Sequence, residues 1–161
     1  MTSRSTAPFP DAVTAFVALA WLGMLVGVSF LATPVKFLAP SLELPVALDV
    51  GRVTFAAFSK AEWGLSLFLI IATFIPKAPR AEVVLTAVTV LIVGVQALWL
   101  LPALDIRVAA VIAGNPQEPS VHHAAYAALE AAKASALVAV ALIALFRLGW
   151  RDRPDATADE Q

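Results

Sequence analysis

The stretch Val83–Leu104, VVLTAVTVLIVGVQALWLLPAL, decides the fold class because it is long, apolar and without a single charged residue. A helix rises 1.5 Å per residue, so about 20 apolar residues cross the hydrocarbon core of a bilayer. A second uncharged stretch of this kind runs from Ala12 to Val35. Both segments therefore predict membrane-spanning helices.

Two further segments reach spanning length only by including charged residues. Their uncharged runs, Trp63–Pro76 and Ala134–Phe146, are too short to cross alone, so each could instead be a re-entrant segment or a soluble core helix. The charged residues that would enter the membrane are Lys60, Glu62, Glu130 and Lys133. The even spacing of the four segments favours full crossing.

These segments predict an all-α, antiparallel four-helix membrane bundle. The expected spans are at about residues 12–35, 57–76, 82–102 and 123–147, within a membrane domain at 11–150. Polar tails at residues 1–10 and 151–161 flank that domain. Pro45 is suited to the first turn of a helix that leads into the second span.

Composition agrees with a membrane protein whose partner is the lipid bilayer. Of the 161 residues, 60% are hydrophobic and 14% are charged, well away from the balance of soluble domains. A net charge of −1 argues against nucleic acid as a partner. The absence of cysteine excludes disulfides, thiolate zinc sites and cysteine-ligated iron–sulfur clusters.

Lysine and arginine residues predict the orientation, because cytoplasmic loops carry an excess of them. With the N-terminus inside, the cytoplasmic side holds Arg4, Lys77, Arg80, Arg147, Arg151 and Arg153, and the other side holds Lys36, Arg52, Lys60 and Arg107. We therefore expect a multi-pass protein of the plasma (inner) membrane with both termini in the cytoplasm.

The start of the fourth span carries the candidate site. At 100° per residue, one arc of about 100° contains His122, His123, Tyr126, Glu130 and Lys133. The rest of this stretch is almost entirely alanine, so the polar stripe should face the bundle interior. Ionisable groups inside a span indicate a functional site, whose partner then has to be found.

Glu62 is the expected partner of this stripe. It stands about 22 Å along the helix from Lys77, while Lys133 stands about 21 Å from Arg147, so the two charges lie at matched heights. Lys60 points to another side of its helix, where it could extend to the surface. The pair could act as a ligand, ion or proton site, or could only fix the register of the helices.

The two histidines do not by themselves form a cofactor site. Neighbouring residues on a helix point about 100° apart, so His122 and His123 cannot clamp a haem from both faces, and neither has a ligand at i+3 or i+4. We therefore predict no metal and no cofactor. A metal site completed by Glu62 or Asp105 is the alternative, and it would indicate a membrane oxidoreductase or a haem- or metal-binding protein.

Two weaker features concern packing and the end of the third span. Gly23 and Gly27 give the first span a small face that suits close helix packing. Asp105 and Arg107 follow the third span and form a secondary polar site, for which a capping or surface ion pair is the simpler interpretation. A homo-oligomer or a larger membrane complex would be compatible with this sequence.

Several short motifs resemble a family of small four-span bacterial membrane proteins of unknown function, whose eukaryotic members are linked to drug resistance. They are Gly27-Val-Ser-Phe30, Ala32-Thr-Pro34-Val-Lys-Phe37, Gly51-Arg-Val-Thr-Phe55, Leu101-Pro102 with Arg107, and, as a loose match, His123-Ala-Ala-Tyr126-Ala-Ala-Leu-Glu130. The resemblance implies a four-span fold and a membrane location, and it implies no reaction. We expect a non-enzymatic protein with a polar cluster in the outer half of the bundle. It would handle a small solute, ion or proton, or support a membrane complex.

The orientation gives the first testable prediction. Reporter fusions at Gly114 and at the C-terminus should report opposite sides of the membrane, outside and inside respectively, because the basic residues flank the cytoplasmic ends of the spans. Two reports from the same side would contradict the four-span topology.

Overall fold

The computed structural model describes residues 9–74, 78–115, 118 and 120–151, and these residues form four long helices. They are α1 (Phe9–Lys36), α2 (Leu44–Phe74), α3 (Arg80–Ile112) and α4 (Val121–Arg151). Each is long and apolar enough to span a membrane, and the described ranges contain no strand. The prediction of an all-α protein with four helices long and apolar enough to span a membrane is thereby confirmed.

The helices extend beyond the spans expected from the sequence. α2 begins at Leu44 with Pro45 in its first turn, where the missing N–H of proline has no helical partner to lose. α3 continues through Pro102 to Ile112 instead of ending there. Most of the two predicted tails, at residues 1–8 and 152–161, lies outside the described residues.

α1 and α3 each contain a segment of wider π-helical turns, Val26–Ala32 and Gln96–Leu100. A proline, Pro34 or Pro102, follows each segment within two residues. A proline ring clashes with the carbonyl four residues earlier and offers no N–H to it, so a local change of helical pitch relieves the conflict. In α1 the Thr33 hydroxyl also donates to the Val28 carbonyl at 2.8 Å.

The four helices pack as a ring. α1 contacts α2 and α4, and α3 contacts the same two helices, so α2 and α4 lie on opposite sides of the ring. The apolar centre consists of fully buried side chains from all four helices, among them Trp21, Leu25, Leu69, Val93, Leu137 and Val140.

The outer surface of the ring is apolar. Large exposed hydrophobic side chains occur on every helix, including Phe68, Leu98 and Phe146, as expected for a surface in contact with lipid. Trp99 and Trp150 are also exposed, which suits membrane–water interfaces. A Cβ placed on Gly23 or Gly27 would meet nothing within 4 Å, so this small face is not used for packing within the described part of the chain.

The burial pattern of α4 gives the second prediction. Cysteines introduced singly at Tyr126 and Leu137, which are buried, should be protected from a lipid-phase thiol reagent, whereas cysteines at Ala128 and Ala131, which are exposed, should react. The chain contains no native cysteine, so each label reports one position. Equal labelling at all four positions would show that α4 does not present this face to the bundle.

Candidate functional site

Lys133 lies at the centre of the ring with its side chain fully buried. Its ammonium donates to three acceptors, the carboxylates of Glu62 at 2.5 Å and Glu130 at 2.7 Å and the amide oxygen of Gln96 at 2.7 Å. A lysine ammonium has three N–H donors, so all of them are satisfied. This complete satisfaction allows a charge to be buried at this depth.

The two carboxylates receive further hydrogen bonds. The Trp21 indole N–H donates to Glu62 at 3.1 Å. Glu130 accepts from the Ser29 hydroxyl at 2.8 Å and from the Gln96 amide at 2.9 Å. We call the six residues Trp21, Ser29, Glu62, Gln96, Glu130 and Lys133 the lysine cluster.

All four helices contribute to the lysine cluster, and both π-helical segments reach it. Ser29 belongs to the segment in α1 and Gln96 to the segment in α3. The Glu62–Lys133 ion pair joins α2 to α4, which lie on opposite sides of the ring, so it crosses the centre of the bundle. The cluster therefore joins two helices that have little other contact with each other.

The lysine cluster contains more acids than bases. Glu62 and Glu130 provide two carboxylates for the single ammonium of Lys133, and all three side chains are at most 2% exposed. A net charge in such surroundings costs free energy. One additional positive charge, a proton or a cation, would make the cluster neutral.

A second buried group of charges lies where the N-terminal ends of α1 and α3 meet α4. The Arg147 guanidinium contacts the Asp11 and Glu82 carboxylates, each at 3.1 Å. Both carboxylates are 1% exposed, whereas Arg147 is 21% exposed. We call Asp11, Glu82 and Arg147 the arginine cluster.

Buried hydroxyl groups lie between the two clusters. α2 presents Glu62, Ser66 and Thr73 on one face, and α3 presents Glu82, Thr86, Thr89 and Gln96 on one face, because the spacings follow the helical period. The Thr73 and Thr86 hydroxyls lie 3.2 Å apart. The Ser66 hydroxyl is buried with no hydrogen-bond partner among the described residues.

A cavity of about 350 Å³ opens beside the lysine cluster, between α1, α2 and α4. Glu130 lines it together with His123 and four aromatic side chains, Phe30, Phe37, Phe55 and Tyr126. The Phe55 and Tyr126 rings meet edge to face, with centroids 5.4 Å apart. Phe55 stands seven positions, or about two helical turns, before Glu62, and Tyr126 stands seven positions before Lys133.

Of the residues expected from the sequence, the structure brings four together in the interior, namely Glu62, Tyr126, Glu130 and Lys133. The histidines lie apart from the cluster. His122 is half-buried with its ring edge-on to Trp99, with centroids 6.3 Å apart, and His123 is exposed at the cavity.

Lys60, Asp105 and Arg107, the secondary polar residues expected from the sequence, lie at the surface or near it. Lys60 is exposed and borders a shallow groove together with Asp105. Arg107 donates to the backbone carbonyl of Glu118. In the described ranges, no group of three or more histidines or acids is placed to hold a metal ion.

Six residues of the two clusters were not identified as site residues from the sequence. Trp21, Ser29 and Gln96 each complete the lysine cluster, and the signal for the last two was a polar side chain inside an uncharged span. The three residues of the arginine cluster stand close to predicted span ends, which made them resemble flanking charges. Their partnership depends on which helices are neighbours.

Comparison with known proteins returned no match: no family model, no curated protein and no solved structure corresponds to this chain.

The Glu62–Lys133 pair gives the third prediction. Glu62→Gln alone should cost less than Lys133→Met alone, because Lys133 keeps the Glu130 carboxylate as its partner. Lys133→Met should lower the free energy of unfolding by about 3–5 kcal/mol, because it leaves two buried carboxylates without their counter-charge. The double variant should recover part of that loss, with a coupling energy of about 0.5–3 kcal/mol in a double-mutant cycle on unfolding in detergent.

The exposed ion pair between Asp49 and Arg52 provides the control for that cycle. Its coupling energy should be at most about 1 kcal/mol, because solvent screens both groups. A coupling energy of zero for Glu62 and Lys133 would mean that the two charges do not meet in the folded protein.

Proposed function

We propose that this chain is a multi-pass membrane protein that handles protons, with the lysine cluster as the group that takes up the proton. The observation that carries this proposal is the pair of buried carboxylates around one buried ammonium. Such a cluster becomes neutral on binding one proton, and buried acids inside membrane spans commonly serve proton relays. The proton would exchange between Glu62 and Glu130, both of which contact Lys133.

The polar groups along the bundle support a route for the proton. Hydroxyl groups of Ser66, Thr73 and Thr86 lie between the lysine cluster and the arginine cluster, and hydroxyls both donate and accept hydrogen bonds. The arginine cluster brings the Asp11 and Glu82 carboxylates to Arg147, and Arg147 is partly exposed, so it would connect this route to solvent. Leu69 and Val93, fully buried in the apolar centre, would prevent a continuous water channel.

We further propose an antiparallel arrangement in the plasma membrane with both termini in the cytoplasm. Residues that come later in α1 contact residues that come earlier in α2, and this pattern supports the antiparallel order. Thr14 and Trp21 of α1 meet Ala72 and Glu62 of α2, respectively. The lysine and arginine counts support the orientation.

The other functions expected from the sequence gain less support. An oxidoreductase or haem- or metal-binding role would rest on His122 and His123, and these residues lie outside both charge clusters. Support of a larger membrane complex would not require acids and a lysine at the centre of the bundle. Membership of the small four-span family remains a proposal that rests on the sequence motifs.

Proton flux into liposomes gives the fourth prediction. Liposomes containing the protein and an internal pH dye, with a negative interior potential set by potassium and valinomycin, should acidify faster than protein-free liposomes. Glu130→Gln should reduce the rate to that of protein-free liposomes, because the cluster is then neutral without a proton.

Asp49→Asn is the matched control, since it neutralises an exposed acid far from either cluster and should leave the flux unchanged. Size-exclusion chromatography and circular dichroism establish that each variant is folded. The proposal is wrong if liposomes with the unaltered protein acidify no faster than protein-free liposomes. It is also wrong if liposomes with Glu130→Gln acidify as fast as those with the unaltered protein.

A further inference from the structure

We infer that the cavity beside Glu130 binds a quaternary ammonium ion, a cation whose nitrogen carries four carbon substituents and no hydrogen. The cavity volume of about 350 Å³ lies in the range of about 300–1,000 Å³ that small-molecule sites occupy. The cavity combines an aromatic lining with one wall of the lysine cluster.

The aromatic lining suits a cation. Phe30 comes from α1, Phe55 from α2 and Tyr126 from α4, and Phe37 directly follows α1, so rings approach the cavity from several directions. The face of an aromatic ring attracts a positive charge, and cages of such rings recognise quaternary ammonium groups. The Lys36 ammonium lies 5.1 Å from the centroid of the Phe37 ring, within the distance of a cation–π contact.

The charge of the cluster selects a cation over a neutral molecule of the same shape. Glu130 lines the cavity and belongs to a cluster with two carboxylates and one ammonium. A monovalent cation in the cavity would supply the missing positive charge without entering the bundle centre.

The hydrogen bonds of the cavity favour a nitrogen without N–H groups. Glu130 already accepts from Ser29, Gln96 and Lys133. The Ser29 hydroxyl donates to Glu130, and the Thr33 hydroxyl donates to a backbone carbonyl. A primary amine would lose its water ligands here and gain few acceptors, whereas a quaternary ammonium ion needs none.

The other charged and titratable groups around Glu130 are few. α2 brings Glu62, and α4 brings His123, Tyr126 and Lys133, whereas α1 and α3 present only the neutral Ser29 and Gln96. Lys36 lies further along α1, beside Phe37, in a neighbouring cavity. It is the cation that would oppose the ligand from the rim.

This inference rests on the proposed function in one respect, the proton held by the lysine cluster. If the cluster holds a proton, the arriving ammonium ion takes over its role as counter-charge and the proton leaves to solvent. Binding would then release one proton for each ammonium ion bound, and total charge is conserved. The site would thereby exchange a proton for an organic cation.

The experiment uses benzyltrimethylammonium as the probe and its neutral carbon isostere, neopentylbenzene, as the ligand control. Titration calorimetry on the full chain, in phosphatidylglycerol nanodiscs, should detect saturable binding of the cation and none of the isostere. Glu130→Gln should abolish the binding, and Phe55→Leu should weaken it by about threefold to thirtyfold through loss of one ring face. Phe68→Leu, in a separate apolar cavity beside Phe9, should leave the binding constant unchanged.

Two further measurements sharpen the test. Lys36→Gln should tighten binding, because it removes the competing charge at the rim. The titration repeated in phosphatidylcholine nanodiscs separates the sources of the ligand. Weaker binding of benzyltrimethylammonium there would mean that the choline headgroup of the lipid competes for the site. Unchanged affinity would assign the site to a free ion. The inference is overturned if the cation fails to bind, if the isostere binds equally well, or if Glu130→Gln binds like the unaltered protein.

Failure of this inference can be told apart from failure of the proposed function. Proton flux in the absence of any ammonium ion tests the cluster alone, whereas calorimetry tests the cavity. Proton flux without cation binding would support the proton function and overturn the cation site. Cation binding without proton flux would support the cation site and overturn the proton function.

Discussion

The ammonium of Lys133 is the constraint on which the bundle depends. A lysine charge in the middle of a membrane protein is expensive, and it is tolerated only where acceptors surround it. Here the acceptors come from α2, α3 and α4, and α1 supports the two carboxylates through Trp21 and Ser29. All four helices therefore take part in satisfying one buried cation.

Much of the fold could be predicted from the sequence because hydrophobic length is a strong signal in membrane proteins. The uncharged stretches at 12–35 and 83–104 indicated spans directly. Counting residues from basic span ends placed Glu62 and Lys133 at equal heights, and the structure puts them 2.5 Å apart. The π-helical segments could not be read in this way, although the prolines at 34 and 102 were their visible signal.

The candidate site was only partly predictable, and the reason lies in how helices are arranged around one another. The polar stripe of α4 pointed inward as its spacing indicated, yet Gln96 becomes relevant only when α3 is known to lie beside that stripe. Asp11, Glu82 and Arg147 lie on three different helices and stand at span ends in the sequence. Periodicity describes one helix at a time, so it could not reveal a group that exists only between helices.

The distribution of the buried charges has a consequence for biogenesis. Glu62 and Glu82 lie on α2 and α3, whereas Lys133 and Arg147, the cations that they contact, both lie on α4. During synthesis the first three helices would hold buried acids without their counter-charges, at a cost in the membrane for each. Assembly of the bundle must therefore wait for the fourth helix, and a chain that stops before it should be a substrate for quality-control proteolysis rather than a stable three-helix protein.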